Sequence, residues 1–153
     1  MPFSLDTSGL LDAWVRHYPP DVFPTVWAHM EVAAKQEEIL IIDEVADELA
    51  RKDDGIFKWV KNHEHIVVPI DENIQQILAS IMKAHPRLVD TKKNRSGCDP
   101  WVIALAQARN LTVVTGERGT GRIEKPKIPD VCKALGIPCI EIVEFFRKLG
   151  LRI

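Results

Sequence analysis

Short apolar runs alternate with segments of helical periodicity along the whole chain of 153 residues. This alternation is typical of an α/β domain in which helices connect the strands of a mostly parallel sheet. No internal repeat or low-complexity tract interrupts it, so we expect a single domain over residues 1–153. The predicted strands are residues 3–5, 39–42, 66–68, 112–115 and 139–141.

The segments between these strands have the apolar spacing and the end signals of helices. We predict helices ending before Pro19, over 22–36, from Asp43, over 55–62, up to Ala84, and over 101–109, 129–135 and 143–149. Short polar side chains at helix starts accept hydrogen bonds from the first backbone N–H groups. The side chains expected to cap in this way are Ser8, Asp21, Asp71 and Asp99.

The composition excludes a membrane span and a disulfide-stapled fold. The longest apolar run covers only residues 101–106, far short of the roughly 20 residues that cross a bilayer. Residues 1–20 contain Asp6 and Asp12 and have no basic start, so we do not expect them to act as a secretory signal. The three cysteines lack C-x-x-C spacing, and we expect them to be reduced in a cytoplasmic protein.

Charge is segregated along the chain. Residues 1–84 contain seven basic and fifteen acidic side chains, a net charge of −8, whereas residues 85–153 contain thirteen basic and seven acidic ones, a net charge of +6. The basic residues are dense between Arg87 and Lys127, in segments that we expect to be largely loop. A polyanion would be attracted there, although a solvated basic surface explains the same composition.

Acidic side chains stand where a parallel sheet usually binds its ligands, at the carboxyl ends of strands. Asp6 directly follows the first predicted strand, and Glu117 follows the strand 112–115 by two residues. Asp99 opens a predicted helix. Each acid has an ordinary structural explanation as a turn or cap residue.

The helix from Asp43 carries three further acids, Glu44, Asp47 and Glu48. A helical wheel puts Asp47 and Glu48 on opposite borders of the apolar stripe formed by Val45 and its neighbours. Periodicity therefore does not choose between Asp47 and Glu48.

Four segments together resemble the PIN-domain nucleases, many of which are toxins of bacterial toxin–antitoxin pairs. Their order and spacing match over nearly the full chain, although Ser8 stands where Asn is common and Glu117 where many members have Asp. The four segments are Leu5-Asp6-Thr7-Ser8, Asp47-Glu48-Leu49, Asp99-Pro100-Trp101-Val102-Ile103-Ala104 and Thr115-Gly116-Glu117. Residues 127–138 resemble a smaller branch of PIN-like proteins without a well-established function. The resemblance implies a three-layer α/β fold.

The resemblance also implies a site and a chemistry. The acidic positions of the family fall on Asp6, Glu48, Asp99 and Glu117, which would bind Mg²⁺ or Mn²⁺ and hydrolyse RNA to a 5′-phosphate and a 3′-hydroxyl. Hydroxyl groups that would orient these acids or a phosphate oxygen belong to Thr7, Ser8 and Thr115. Side chains that would hold the RNA backbone are Lys92, Lys93, Arg95, Arg118 and Arg122.

Two functional classes follow from these patterns. The first is a metal-dependent ribonuclease, the toxin of a type II pair, with an antitoxin protein as partner and a homodimer as a plausible assembly. The second is a catalytically inactive PIN-like module that binds RNA or a protein. The presence of all four acids favours the first class.

Overall fold

The computed structural model describes residues 2–89, 98–122, 124 and 126–152. Within these residues, five strands form one sheet in the order β3-β2-β1-β4-β5, and every neighbouring pair is parallel. The predicted α/β class with a parallel central sheet is thereby confirmed. The strands are β1 (Phe3–Leu5), β2 (Ile39–Ile42), β3 (Val67–Val68), β4 (Thr112–Val114) and β5 (Cys139–Ile140).

Helices connect the strands, as the alternating pattern predicts. The α-helices are α1 (Thr7–Leu11), α2 (Pro24–Lys35), α3 (Asp43–Lys52), α4 (Asp54–Lys61), α5 (Glu72–Ala84), α6 (Asp99–Arg109), α7 (Ile128–Leu135) and α8 (Ile142–Lys148). Helix α1 continues directly into a π-helix, Asp12–His17. Short 3₁₀ turns occur at Glu64–Ile66 and Pro86–Leu88.

Helices cover both faces of the sheet. The Ser4 hydroxyl donates to the Val102 carbonyl of α6 at 3.0 Å, whereas the ring centroid of the neighbouring Phe3 lies 5.0 Å from that of Phe145 in α8. Successive side chains of a strand point to opposite faces. Helices α6 and α8 therefore lie on opposite sides of β1, which gives the three layers expected.

Helix α6 is a buried helix, and its burial fixes the position of Asp99, one of the four acids predicted to form a site. Every residue from Val102 to Ala106 is buried, and the helix contacts β1, β2 and β4 as well as α5 and α7. A helix that is apolar on all sides belongs in the interior of a protein. The first turn of α6, which includes the buried Asp99, is consequently fixed in position relative to the sheet.

Three of the four predicted caps are wrong. Helix α1 begins at Thr7, with Asp6 rather than Ser8 before it; α2 is preceded by Phe23, and α6 by Cys98. Asp71 is confirmed, since its Oδ1 accepts from the Ile74 N–H at 2.8 Å. Ser8 does not cap because it lies inside the first turn of α1, where its hydroxyl donates to Asp6 and accepts from the Gly116 N–H.

The last two features of the described residues concern membrane-spanning helices and disulfide bonds, both of which the sequence excludes. No helix among them combines the length and the apolar character needed to cross a bilayer. Cys98, Cys132 and Cys139 are all free thiols, as expected from their spacing.

Candidate active site

A pocket of about 230 Å³ lies where β1 and β4 end. All four acids singled out in the sequence line it, although they come from four separate segments: Asp6 after β1, Glu48 on α3, Asp99 at the start of α6 and Glu117 after β4. The remaining lining residues are Thr7, Ser8, Leu11, Asp12, Arg16 and Lys52. The fold thus brings together side chains that are up to 111 positions apart in the sequence.

The orientation of α3 separates the two adjacent acids that the helical wheel left undecided. Glu48 is buried in the pocket, whereas Asp47 is exposed and lines a different groove beside Phe57 of α4. Val45, Ala46 and Leu49 are buried and fix this rotation of the helix. Glu48 is therefore the acid of this pair that belongs to the site.

Asp6 is an acid of the pocket whose pKa is clearly raised. Burial is the main cause that raises the pKa of Asp6 from 3.8 to about 6. Hydrogen bonds from Ser8 and Thr115 to the carboxylate oppose this rise, and the negative charges of Glu117 and Glu48 add to it. In the folded protein without a bound cation, ionisation of Asp6 therefore costs free energy. Binding of a proton or a cation would offset this cost.

Two hydroxyl groups tie Asp6 to the loop after β4. Oδ2 of Asp6 accepts hydrogen bonds from Oγ of Ser8 at 2.5 Å and from Oγ1 of Thr115 at 2.7 Å. The same two hydroxyls accept from the backbone N–H groups of Gly116 and Glu117, each at 3.1 Å. Ser8 and Thr115 consequently connect Asp6 to the segment that carries Glu117.

The third hydroxyl of the pocket belongs to Thr7. Its Oγ1 is buried and makes no hydrogen bond within the described part of the chain, although Thr7 is only 3% exposed and lines the pocket. An unsatisfied buried polar atom costs free energy, and a ligand or water molecule in the pocket that bonds to the Thr7 hydroxyl would remove this cost. A phosphate oxygen or a water molecule of a hydrated cation has the required chemistry.

We expect Thr7→Val to stabilise the ion-free protein by about 1 kcal/mol, because valine has the same shape and removes the unsatisfied hydroxyl. The same variant should bind its ligand more weakly. Urea unfolding in a chelator measures the first effect, and Thr115→Val is the matched control, since that substitution removes a hydroxyl that makes hydrogen bonds. Equal destabilisation by both variants would contradict the interpretation of Thr7.

Three charged pocket residues escaped the sequence analysis: Asp12, Arg16 and Lys52. Nη1 of Arg16 lies 2.9 Å from Oδ1 of Asp12, and Nζ of Lys52 lies 2.8 Å from Oε1 of Glu48. Both pairs have i,i+4 spacing, which is the signal that a sequence offers for them. Oδ2 of Asp12, the first residue of the π-helix, packs so closely on Gly116 in the loop after β4 that a Cβ at Gly116 would collide with it.

Glu117 is held by the start of α7. Its Oε2 accepts from the Ile128 N–H at 3.2 Å. The loop between them is organised by Asp130, whose carboxylate accepts from the backbone N–H groups of Thr120 and Gly121 at 2.9 Å and of Lys127 at 2.8 Å. Partial burial would raise the pKa of Asp130, but these hydrogen bonds outweigh it and lower that pKa. Asp130 is a further positioning residue that the sequence analysis missed.

Replacing Asp130 by alanine should loosen this loop, because three backbone N–H groups lose their acceptor. We expect trypsin to cut after Arg118 and Arg122 at least about tenfold faster in Asp130→Ala, with the global transition little changed. Peptide mapping over time measures the rates, and cutting after Arg147, in helix α8, serves as internal reference. Unchanged rates after Arg118 and Arg122 would show that other contacts hold the loop.

Two of the five basic side chains predicted to bind the substrate belong to described residues, Arg118 and Arg122. Arg118 is exposed and lines a groove of about 420 Å³ beside His17 and Tyr18, which shares Asp12 with the acidic pocket. Arg122 is exposed on the same loop. Lys92, Lys93 and Arg95 lie outside the described residues.

The donor set fits a hard divalent cation, since the four acids offer carboxylate oxygens, which Mg²⁺ and Mn²⁺ prefer. Among the described residues, no three His, Cys, Asp or Glu side chains stand in the geometry of a preformed metal site. Lys52 occupies an oxygen of Glu48, and the Ile128 N–H occupies an oxygen of Glu117. Cation binding by these four acids therefore requires side-chain rearrangement within the pocket.

The fold and the pocket define an α/β protein with a buried acidic site at the carboxyl ends of its parallel strands. The chain belongs to the family described as a domain of unknown function (DUF4411), whose model matches residues 3–153. No protein with a curated description matches the chain.

Proposed function

We propose that this protein is a metal-dependent ribonuclease of the PIN-like type. The observation that carries the proposal is the convergence of Asp6, Glu48, Asp99 and Glu117 in one pocket, where burial, with smaller contributions from the charges of Glu117 and Glu48, raises the pKa of Asp6. Nothing in the packing of an α/β core requires four acids from four segments to share one pocket. Such electrostatic cost is typical of functional sites.

The four acids would hold one or two Mg²⁺ or Mn²⁺ ions. When bound, the ion supplies activation of the attacking water and stabilisation of the charge that develops on the phosphodiester. Ser8 and Thr115 hold Asp6 in place, and the Thr7 hydroxyl donates to an oxygen of the bound ligand. Arg118 and Arg122 lie on the exposed loop beside the pocket and attract the RNA backbone.

The biological setting is also part of the proposal. The resemblance to PIN-domain toxins supports a toxin role, with an antitoxin protein that covers the pocket and a homodimer as assembly. Three free cysteines support a reducing compartment, the cytoplasm.

The binding module is the second candidate. Two observations favour it: Lys52 pairs with Glu48, and the Ile128 N–H donates to Glu117, so a protein group already contacts an oxygen of each of these two acids. In that function the pocket and Arg118 bind RNA or a protein without cutting.

A cleavage assay on the full chain separates the two. We expect single-stranded RNA to be cut in Mn²⁺ to products with a 5′-phosphate, and a chelator to stop cutting. Asp99→Asn should lower the rate at least about 100-fold, because it removes one ligand charge. Cutting that survives the chelator or Asp99→Asn would contradict a metal-dependent nuclease, whereas RNA binding without cutting would favour the module.

A further inference from the structure

Lys52 forms an ion pair that differs from the other lysine pair of i,i+4 spacing in the described chain. Its Nζ lies 2.8 Å from Oε1 of Glu48, and the Glu48 side chain is only 6% exposed while that of Lys52 is 52% exposed. The second pair, Lys35 with Glu31, is longer at 3.7 Å, with side chains 69% and 40% exposed. Lys52 thus reaches from the rim of the pocket to a buried acid.

We propose that Lys52 is a built-in counter-ion, which neutralises Glu48 in the ion-free protein and leaves it when a divalent cation binds. This inference rests on the metal site of the proposed function. The ammonium of Lys52 occupies the carboxylate oxygen of Glu48 that a divalent cation would need as a ligand. Its positive charge also repels that cation. Lysine has a four-carbon stem, so its charge can move without any shift of α3.

The released ammonium remains beside the pocket, because the Cα of Lys52 belongs to the same helix as Glu48. There it faces the place where an anionic phosphodiester would bind. Cation binding then creates a phosphate-binding group, and by reciprocity phosphate binding strengthens cation binding. Lys52 is therefore a positioning residue that couples the two ligands and keeps the acidic pocket intact when both are absent.

The direct test is a calorimetric Mn²⁺ titration of the full chain without RNA. We expect the Lys52→Gln variant to bind Mn²⁺ about tenfold more tightly than the wild-type protein, because the Lys52 ammonium no longer competes for Glu48. Lys52→Arg keeps the charge and should bind within about twofold of the unchanged protein. A structural role for Lys52 predicts weaker Mn²⁺ binding by Lys52→Gln, the opposite sign.

Arg16→Gln is the matched control, since it removes an equal charge from the same pocket but one that pairs with Asp12. Long-range electrostatics alone would tighten Mn²⁺ binding equally in Arg16→Gln and Lys52→Gln, and that result would overturn the displacement. We expect Arg16→Gln to change the affinity by no more than about threefold.

A second measurement follows the ammonium itself. Acetylation by an N-hydroxysuccinimide ester, quantified by mass spectrometry, should be at least about threefold faster at Lys52 in saturating Mn²⁺, because a paired amine reacts more slowly. Lys35 serves as internal reference. An unchanged rate at Lys52 would overturn the inference.

Failure of the inference is distinguishable from failure of the proposed function. Mn²⁺ binding that Lys52→Gln tightens, without RNA cleavage, would remove the nuclease and leave the counter-ion in place. Mn²⁺ binding and cleavage without any effect of Lys52→Gln would do the reverse. Absence of Mn²⁺ binding in every variant would overturn both.

Discussion

Asp6→Asn should make the ion-free protein more stable near neutral pH, although most substitutions of buried residues destabilise. The pKa of Asp6 rises from 3.8 to about 6 on folding, which corresponds to a gain of about 3 kcal/mol when the ionisable group is removed. Asparagine keeps the shape and a carbonyl oxygen that accepts from Ser8 and Thr115. Urea unfolding in a chelator measures the effect.

The dependence on pH follows from the direction of the shift. Between pH 3.8 and about 6 the folded protein binds more protons than the unfolded chain, so the stability of the unchanged protein falls as pH rises through this window. The advantage of Asp6→Asn should be complete above about pH 6 and should vanish below about pH 4. Asp47→Asn removes an exposed carboxylate and is the control, with an expected change in stability of no more than about 0.5 kcal/mol. A destabilised Asp6→Asn above this window would mean that the Asp6 carboxylate is fully compensated in the ion-free protein.

Glu48→Gln should abolish RNA cleavage, with a loss of at least about 100-fold in rate and of at least about tenfold in Mn²⁺ affinity. The physical reason is that glutamine keeps the size of the side chain but removes a ligand charge from the buried pocket. Initial rates on a labelled single-stranded RNA and a Mn²⁺ titration measure the two losses.

Its control is the neighbouring acid. Asp47→Asn removes the same charge one residue away, on the exposed side of α3, and should leave both quantities within about twofold. Equal losses in the two variants would point to net charge of the helix as the cause. A loss in Asp47→Asn alone would move the site to the groove beside Phe57.

The elements were predictable where burial governs them. The runs over β2 and β4 are apolar because these strands are buried on both faces of the sheet, and residues such as Ile41 and Val113 have no exposed surface. Element ends were less predictable. The third strand is Val67–Val68 instead of 66–68, because Ile66 closes a 3₁₀ turn.

The first helix shows why local signals mislead near a site. Ser8 has the side chain of an N-cap, yet its hydroxyl donates to Asp6 and accepts from Gly116, a residue 108 positions away. The Ser8 hydroxyl therefore accepts its hydrogen bond from the loop after β4 and not from the nearby backbone N–H groups of α1. Nor does the sequence indicate that residues 12–17 form a π-helix.

By itself the sequence determined the α/β class, the order of the elements and the presence of acids after two strands, since these depend on residues within one or two turns of each other. The rotation of α3, and hence Glu48 instead of Asp47, depends on how that helix packs. So do the pairing of Lys52 with a buried acid and the raised pKa of Asp6. Only the tertiary structure decided these properties, because burial and charge–charge distances are set by contacts between segments far apart in the chain.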